Sequence, residues 1–395
     1  MRVWKNGTYQ VFNWKAFLTF RWFSSLKITL QRYLCADCRE AIYSQEKQEM
    51  ALSRAKSKVL LKRGVVFSKF GLNLPLRGIQ LLVEFVFNLP VSLGWINNTV
   101  QEAGKRSRQF LSIINTLPAN VTSLVAMADE TFVKIRNKLK SVCLVIDEHG
   151  LIRKIEVMKE RTSQALSRTV LSVETKCFTP LYYLKDFAKN LVDIGFSKAK
   201  EYYDLVHATR ILHRLFEEAI RDSTKVTPKR AKLTPKQRKA QIKLKRKLLR
   251  KQLWPIKTIL LEAFKVQDLQ QAQLFIEMGF LELETLSIAS VEALVKKLRK
   301  FFDKYQAILF ELLENEEVPN TTNQMESTVG MMKTSSKISK SYQSIRTAEH
   351  DLAGKALYKN FEVKRRGKFK GTSAMERSGI QHAAKNFFQA VGLTW

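Results

Sequence analysis

Residues 122–218 alternate short apolar, β-rich runs with helical stretches, and this order restricts the fold more than any other feature. Three runs, LVAMADETFVKI, SVCLVIDE and LIRKIEVMK, predict strands, and the DEHG sequence is typical of a hairpin turn between the last two. Next come a Thr-capped helix in TSQALSRTVLSVE, a strand in PLYYLKD, a helix in FAKNLVDIGF, and a strand and long helix in EYYDLVHATRILHRLFEEAIRD. The order predicts an α/β fold built on a mixed sheet.

Three acidic residues stand in distinct settings along this pattern. Asp129 lies in the first run, Asp186 ends PLYYLKD, and Glu326 opens the helical stretch in NTTNQMESTVGMMK. A single acid at a strand end is usually a turn or cap residue, but three in the order strand, strand, helix are typical of a metal-dependent nucleic-acid enzyme. Mg²⁺ takes oxygen ligands, and two such ions about 3.5–4 Å apart activate both sides of a phosphoryl transfer. We therefore expect these three residues to be catalytic and to bind Mg²⁺ or Mn²⁺.

The chain is strongly basic, since 68 Lys and Arg residues against 36 Asp and Glu residues give a formal charge of +32. Phosphate backbones are the commonest polyanions, and neutralising them releases counterions, which favours binding. A membrane surface would favour a polybasic stretch beside an apolar anchor. The longest apolar segment is interrupted by Glu84, Asn88 and Pro90, so we expect nucleic acid and no membrane.

The N-terminal segment lacks the apolar core and small-residue cleavage site of a signal peptide. Four cysteines in 395 residues form no disulfide framework, so we expect a cytoplasmic, nucleoid-associated protein. Cys35 and Cys38 form a C-x-x-C knuckle, but a structural zinc needs four ligands, usually from two knuckles. We read residues 1–60 as a degenerate zinc-ribbon-like segment and do not expect zinc at this knuckle.

Residues 61–120 predict a helical, helix-turn-helix-like DNA-binding region. LRGIQLLVEFVFNL and LGWINNTVQEAGKRSRQFLSIINTL flank a short turn at PVS, and the second helix of such a motif presents polar and basic side chains to the major groove. The candidates here are Asn97, Asn98, Lys105 and Arg106. A helical hairpin with a solvated polar face has the same pattern, and the sequence leaves both interpretations open.

Residues 219–317 predict an all-α insertion between Asp186 and Glu326. From Ser223 to Leu261 there are 14 Lys or Arg residues and no acidic residue. Such blocks are often solvated or disordered, yet apolar residues recur at near-helical spacing (Ile242, Leu244, Leu248 and Leu249). We therefore expect a basic amphipathic helix that contacts DNA through Lys243, Lys245, Arg246 and Lys247.

The motifs together resemble an insertion-sequence transposase of the DDE class, from bacteria or archaea, with a large helical insertion before the final Glu. The resemblance rests on ADETFVKI, the D-x-x-H pattern of Asp204 and His207, the N-x-x-E pattern of Asn323 and Glu326, and SYQSIRTAEHDLAGKALYKNFEVKRRG. It covers about 120–217 and 319–371, while the N-terminal ribbon and helix-turn-helix are similar in order.

The resemblance implies a ribonuclease H-like catalytic core over residues 121–218 and 318–372, followed by a C-terminal tail over 373–395. It matches Asp129 to the first carboxylate, on the first strand, Asp186 to the second, after the fourth strand, and Glu326 to the third. The implied reaction is DNA strand cleavage and transfer at the element ends, by a homo-oligomer on double-stranded DNA. His207 and Asn323 would contact DNA near the scissile phosphate; packing and a plain helix cap are the alternatives.

Two departures from the family leave other functions open. Phe187 and Ala188 replace the usual D-G after the second Asp, and the first zinc knuckle is absent. Both fit a decayed or domesticated transposase that binds DNA without cleaving it. A basic RNA-binding protein is disfavoured, because the chain has no Gly-x-x-Gly or aromatic ribonucleoprotein motif.

Overall fold

The computed structural model describes residues 3–12, 27–35, 41–42, 45–87, 89–187, 194–223, 234–286, 288–320 and 323–394. The strands are β1 (Val3–Phe12), β2 (Lys27–Cys35), β3 (Ala41–Ile42), β4 (Val125–Ile135), β5 (Lys138–Asp147), β6 (Ile152–Val157), β7 (Tyr182–Lys185) and β8 (Lys200–Tyr203). The helices are α1 (Gln45–Phe70), α2 (Leu76–Phe87), α3 (Leu93–Ile113), α4 (Ser163–Leu171), α5 (Leu205–Asp222), α6 (Pro235–Glu262), α7 (Leu269–Glu284), α8 (Ala289–Glu314), α9 (Asn323–Ser339), α10 (Ile345–Phe361), α11 (Ala374–Arg377) and α12 (Phe387–Ala390).

The larger sheet has five strands in the order β6-β5-β4-β7-β8. β4 pairs antiparallel with β5, and β5 with β6, whereas β4 pairs parallel with β7, and β7 with β8. The predicted α/β fold with a mixed sheet is therefore confirmed, with β4 at its centre. Strands β1, β2 and β3 form a separate antiparallel sheet.

Local signals in the sequence account for the ends of several elements. At the β5–β6 turn, Oδ1 of Asp147 accepts hydrogen bonds from the backbone N–H groups of His149 and Leu151. Gly150 takes the positive φ of 77° that this turn requires. Thr162 caps α4 by accepting from the N–H of Ala165, as the sequence predicts. Six residues of the predicted FAKNLVDIGF helix, 188–193, lie outside the described residues.

Helices cover both faces of the larger sheet. Met127 and Leu184 belong to the core that β4 and β7 share with α5, α9 and α10. On the opposite face, Ala128 and Tyr183 pack into a second core with α4. This arrangement buries both faces of the central strands.

The N-terminal helices pack onto the same unit instead of standing apart. Helix α1 runs without interruption across residue 60, where the predicted segments 1–60 and 61–120 meet. Helix α3 runs along α10, and Gly104 approaches the backbone of His350 so closely that any Cβ would collide with it. The predicted C-terminal tail is likewise packed, since Phe387 is buried against Phe70 and Tyr358.

Between α5 and α9, the described residues form the three helices α6, α7 and α8. The apolar face predicted for the basic helix is wrong in part, because Leu244 and Leu248 are 58% and 56% exposed. The buried face follows the helical spacing further along, at Leu249, Leu253, Ile256 and Leu260, and packs on α5 and α7. None of the described helices has the length and apolar character needed to cross a membrane.

Candidate active site

Asp129 and Asp186 lie on the two central, parallel strands of the larger sheet. Ala128 and Lys185 are the last residues paired between β4 and β7, so the two aspartates follow side by side where β7 ends. Because successive strand residues alternate between faces, this register puts both aspartates on the same face. In open α/β sheets, ligands bind beyond the carboxyl ends of parallel strands, which is where this pair lies.

The two carboxyl groups are partly buried, and this burial raises the pKa of each. Burial, together with the charge of Asp186, raises the pKa of Asp129 to about 6, although the N–H of Glu130 donates to its Oδ1 over 2.6 Å. Burial also raises the pKa of Asp186, and the charge of His207 opposes this shift. A cation brought to the pair would stabilise its charged form.

His207, in the first turn of α5, approaches Asp186 from the next element. The buried carboxylate of Asp204 caps α5 by accepting from the N–H of Val206 over 2.7 Å, and its Oδ2 lies 2.9 Å from Nδ1 of His207. Nε2 of His207 then lies 3.5 Å from Oδ2 of Asp186. Burial alone would lower the pKa of His207, but the hydrogen bond with Asp204 and the charge of Asp186 raise it. Asp204 thereby fixes which ring nitrogen faces Asp186.

Glu326 reaches this group from α9, with its carboxylate already paired. Nη1 of Arg210 forms an ion pair with Oε1 of Glu326, and the same nitrogen lies 3.5 Å from Nε2 of His207. Met325, the residue before Glu326, is buried and anchors the start of α9 on the core. The contacts therefore run continuously from Glu326 through Arg210 and His207 to Asp186.

Within the described ranges, no group of three His, Cys, Asp or Glu side chains is arranged so that it could hold a metal ion. Asp129 and Asp186 still fit a divalent cation, because they offer hard oxygen ligands on adjacent strands and their raised pKa values would be brought down by a bound cation. Glu326, the third candidate ligand, is paired with Arg210. The structure therefore links Glu326 to Asp186 through Arg210 and His207, and it places Asp129 beside Asp186 on the neighbouring strand.

Phe187, which departs from the D-G expected after the second Asp, packs the helical insertion onto the sheet. Its ring stacks on Tyr203 of β8 at 4.7 Å between centroids and meets Tyr305 of α8 edge-on at 4.9 Å. Phe301 of α8 lies 5.8 Å away on the same ring. A bulky residue beside Asp186 therefore has a packing role.

The predicted DNA-contacting residues of α3 lie in different environments. Asn98 and Lys105 are exposed, and Asn97 is half-buried at the edge of a cavity beside α9 and α10. Arg106 is turned toward the C-terminus, where Nη1 donates to the carbonyl oxygen of Val391 over 3.1 Å. DNA reading by this helix stays a prediction, and Arg106 already serves as a tertiary contact.

In α6, Lys243, Arg246 and Lys247 line one groove with Lys239 and Arg250. Lys245 lies outside that lining and donates to the carbonyl oxygen of Ser223 over 2.9 Å. Asn323 is the first residue of α9, and its side chain lies outside the described residues, as does Cys38 of the knuckle.

Sequence reasoning missed Arg210 and the capping role of Asp204. Both follow from spacing, because positions 204, 207 and 210 are three residues apart and share one face at the start of α5. This spacing would have placed Arg210 on the face of His207, whereas its partner Glu326 lies on another helix and could not be read from it.

Comparisons with known proteins do not establish the function of this chain. No protein-family model matches the sequence, and no curated protein matches it. Among solved structures, the chain is similar to the integrase catalytic core domain of HTLV-2, described in complex with magnesium in a trimeric form. The match has 15% sequence identity and a TM-score of 0.20, and it covers 28% of this chain and 79% of that one.

Proposed function

We propose that this chain is a DDE-type transposase that cleaves and joins DNA strands with the help of Mg²⁺ or Mn²⁺. The observation that carries the proposal is the partly buried pair of Asp129 and Asp186, which lie side by side at adjacent parallel strands and have raised pKa values. The sheet supports a ribonuclease H-like core, because the strands expected to carry the first two carboxylates, β4 and β7, are adjacent.

Each residue of the network has a distinct task in this proposal. Asp129 and Asp186 would hold the divalent cation, whose chemistry when bound is to activate an attacking hydroxyl and stabilise the leaving oxygen. Asp204 orients His207, and His207 presents Nε2 to Asp186 and to an incoming phosphate. Arg210 positions Glu326 beside this group as the third acid.

DNA is the proposed substrate because a formal charge of +32 favours a polyanion. The row of cations along α6, at Lys239, Lys243, Arg246, Lys247 and Arg250, would contact the backbone without reading sequence. Assembly of several copies on the element ends, and association with the nucleoid, belong to the same proposal.

A strand-cleavage assay on DNA carrying the element ends, with Mg²⁺ or Mn²⁺, tests the function. Glu326→Gln should abolish cleavage and leave DNA binding nearly intact, because it removes the negative charge of the third acid beside the aspartate pair and keeps the size of the side chain. Glu292→Gln, an exposed glutamate in the first turn of α8, is the matched control and should cleave like wild type. Equal cleavage by wild type and Glu326→Gln would exclude a role for Glu326.

A DNA-binding protein without catalysis is the second candidate, and the ion pair between Arg210 and Glu326 favours it. In that case wild type would bind DNA and leave it uncut with either metal. Arg210→Gln separates the two functions, since freeing Glu326 should alter cleavage only if the catalytic group is active.

A further inference from the structure

A cavity lined by cationic residues lies next to α9, beside the turn that carries Glu326. We call it the basic cleft, a cavity of about 280 Å³ between the first turn of α9, the β5–β6 turn and the loop over residues 364–372. Five of its lining residues are cationic and none is acidic: Lys359, Lys364, Arg366, Lys368 and Arg377. Ser327, which follows Glu326 directly, also lines it.

The loop that carries three of these cations is held by its own backbone. The N–H of Lys364 donates to the carbonyl oxygen of Thr372 over 3.1 Å, and the N–H of Gly371 donates back to the carbonyl oxygen of Lys364 over 2.8 Å. Gly367 and Gly371 take φ values of 82° and 85°, which residues with a side chain rarely adopt. The turn therefore presents Arg366 and Lys368 from a defined backbone.

Arg377 connects this loop to the β5–β6 turn. Its guanidinium donates to the carbonyl oxygen of His149 from Nε and Nη2, at 3.0 and 2.6 Å, and to that of Thr372 from Nη1 at 3.0 Å. It also lies 4.2 Å from the ring centre of Phe369. Since Arg377 is committed to the loop, the cations that face solvent are those of Arg366 and Lys368, with Lys364 half-buried between the loop and α10.

The positive charge of the cleft is incompletely compensated. Burial, followed by the nearby charge of Lys359, lowers the pKa of Lys364 to about 8. Lys359 has a carboxylate partner, because its Nζ donates to Oε2 of Glu362 over 2.6 Å. An anion in the cleft would stabilise the ammonium form of Lys364.

We propose that the basic cleft binds the phosphodiester backbone of the DNA substrate through Lys364, Arg366 and Lys368, a proposal that rests on the proposed function. An α-helix turns every 3.6 residues, so the side chains of Glu326 and Ser327 point about 100° apart. The carboxylates and the cleft thus flank the same turn of α9. An α-helix with its side chains is about 10–12 Å wide, so one DNA strand that crosses this turn would contact both the carboxylates and the cleft. The cleft would then position the scissile phosphate without reading sequence.

The test measures DNA binding in EDTA, where no cleavage occurs, for Arg366→Gln/Lys368→Gln. Each lost phosphate contact makes the plot of log affinity against log salt shallower by about 0.9. The slope should therefore become shallower by about 1.8, and the affinity at 0.1 M salt should fall at least about tenfold. Lys296→Gln/Lys300→Gln on α8, two exposed lysines with the same charge change, is the matched control. It should change affinity less than about twofold, because these lysines lie outside the cleft; both variants lose the same net charge, so a difference between them reports direct contacts.

An equal loss of affinity in both variants would overturn the proposal, since the cleft would then act only through net charge. The proposal would also be overturned if inorganic phosphate bound in the cleft and protected it, while the cleft variant kept its DNA affinity. A cleft variant that lost only its binding to duplex RNA would overturn it as well. Because binding is read without divalent cations, a failed cleavage assay leaves this result intact, and the two proposals can fail separately.

Discussion

Asp129, which is partly buried, and Asp351, which is fully buried, lie in opposite electrostatic surroundings. Oδ2 of Asp351 accepts from Nζ of Lys355 over 2.5 Å and from the hydroxyl of Tyr342 over 2.6 Å. Nζ of Lys69 lies 3.4 Å from its other oxygen. Asp129 has one backbone donor, Glu130, and faces a second carboxylate.

The difference separates an acid that stabilises the fold from one that is available for chemistry. Burial alone would raise the pKa of Asp351, but the charges of Lys355 and Lys69 bring it below the ordinary value. Burial and a like charge raise the pKa of Asp129 to about 6. Perturbed acids of the second kind cluster at functional sites, because the structure leaves their charge for a ligand to neutralise.

The same substitution should therefore change stability in opposite directions at the two sites. Asp351→Asn removes the carboxylate between two buried ammonium groups, Lys355 and Lys69, and leaves their charge uncompensated. Breaking a buried pair in this way costs about 3–5 kcal/mol. Urea unfolding at pH 7 measures the loss, and an unchanged midpoint would show that the ion pairs contribute nothing.

Asp129→Asn should stabilise the metal-free protein above pH 6. The folded pKa of about 6 exceeds the ordinary value, so ionising Asp129 destabilises the native state. This penalty is absent below about pH 4, grows between about pH 4 and 6, and reaches at most on the order of 3 kcal/mol above that range. Urea midpoints at pH 4 and pH 8 test the sign, and a variant less stable than wild type at pH 8 contradicts it.

A smaller effect concerns His207, which lies between the carboxylates of Asp204 and Asp186. Asp204→Asn removes the charge that holds Nδ1 of His207, so the pKa of His207 should fall. The raised pKa contributes stability at low pH, which is lost as pH rises through the folded value. Imidazole proton resonances followed by NMR during a pH titration report the shift. His213 on the same helix serves as internal reference, and a pKa that stays constant at His207 would contradict the geometry.

The sheet could be predicted from the sequence because its signals are local. Alternation and turn residues fix β4 to β6, and a short buried run ending on Asp186 fixes β7. Neighbouring parallel strands then bring Asp129 and Asp186 together, as the strand, strand and helix order predicts.

Long-range packing could not be predicted in the same way. Helix α3 has the pattern of a recognition helix, yet its Gly104 fits against α10, more than two hundred residues later in the chain. The pairing of Arg210 with Glu326 likewise depends on how α5 and α9 meet. Neither contact leaves a periodic signal, because each joins single side chains across the fold.

Binding of Mn²⁺ at pH 7.5 tests most directly whether Asp129 and Asp186 form a cation site. Titration followed by electron paramagnetic resonance reads the free ion and does not depend on DNA or on turnover. Wild type and Glu292→Gln should bind Mn²⁺ equally, and Asp129→Asn should lose that binding, because one of two charged oxygen ligands is gone. Equal Mn²⁺ affinity in Asp129→Asn and wild type would contradict the account.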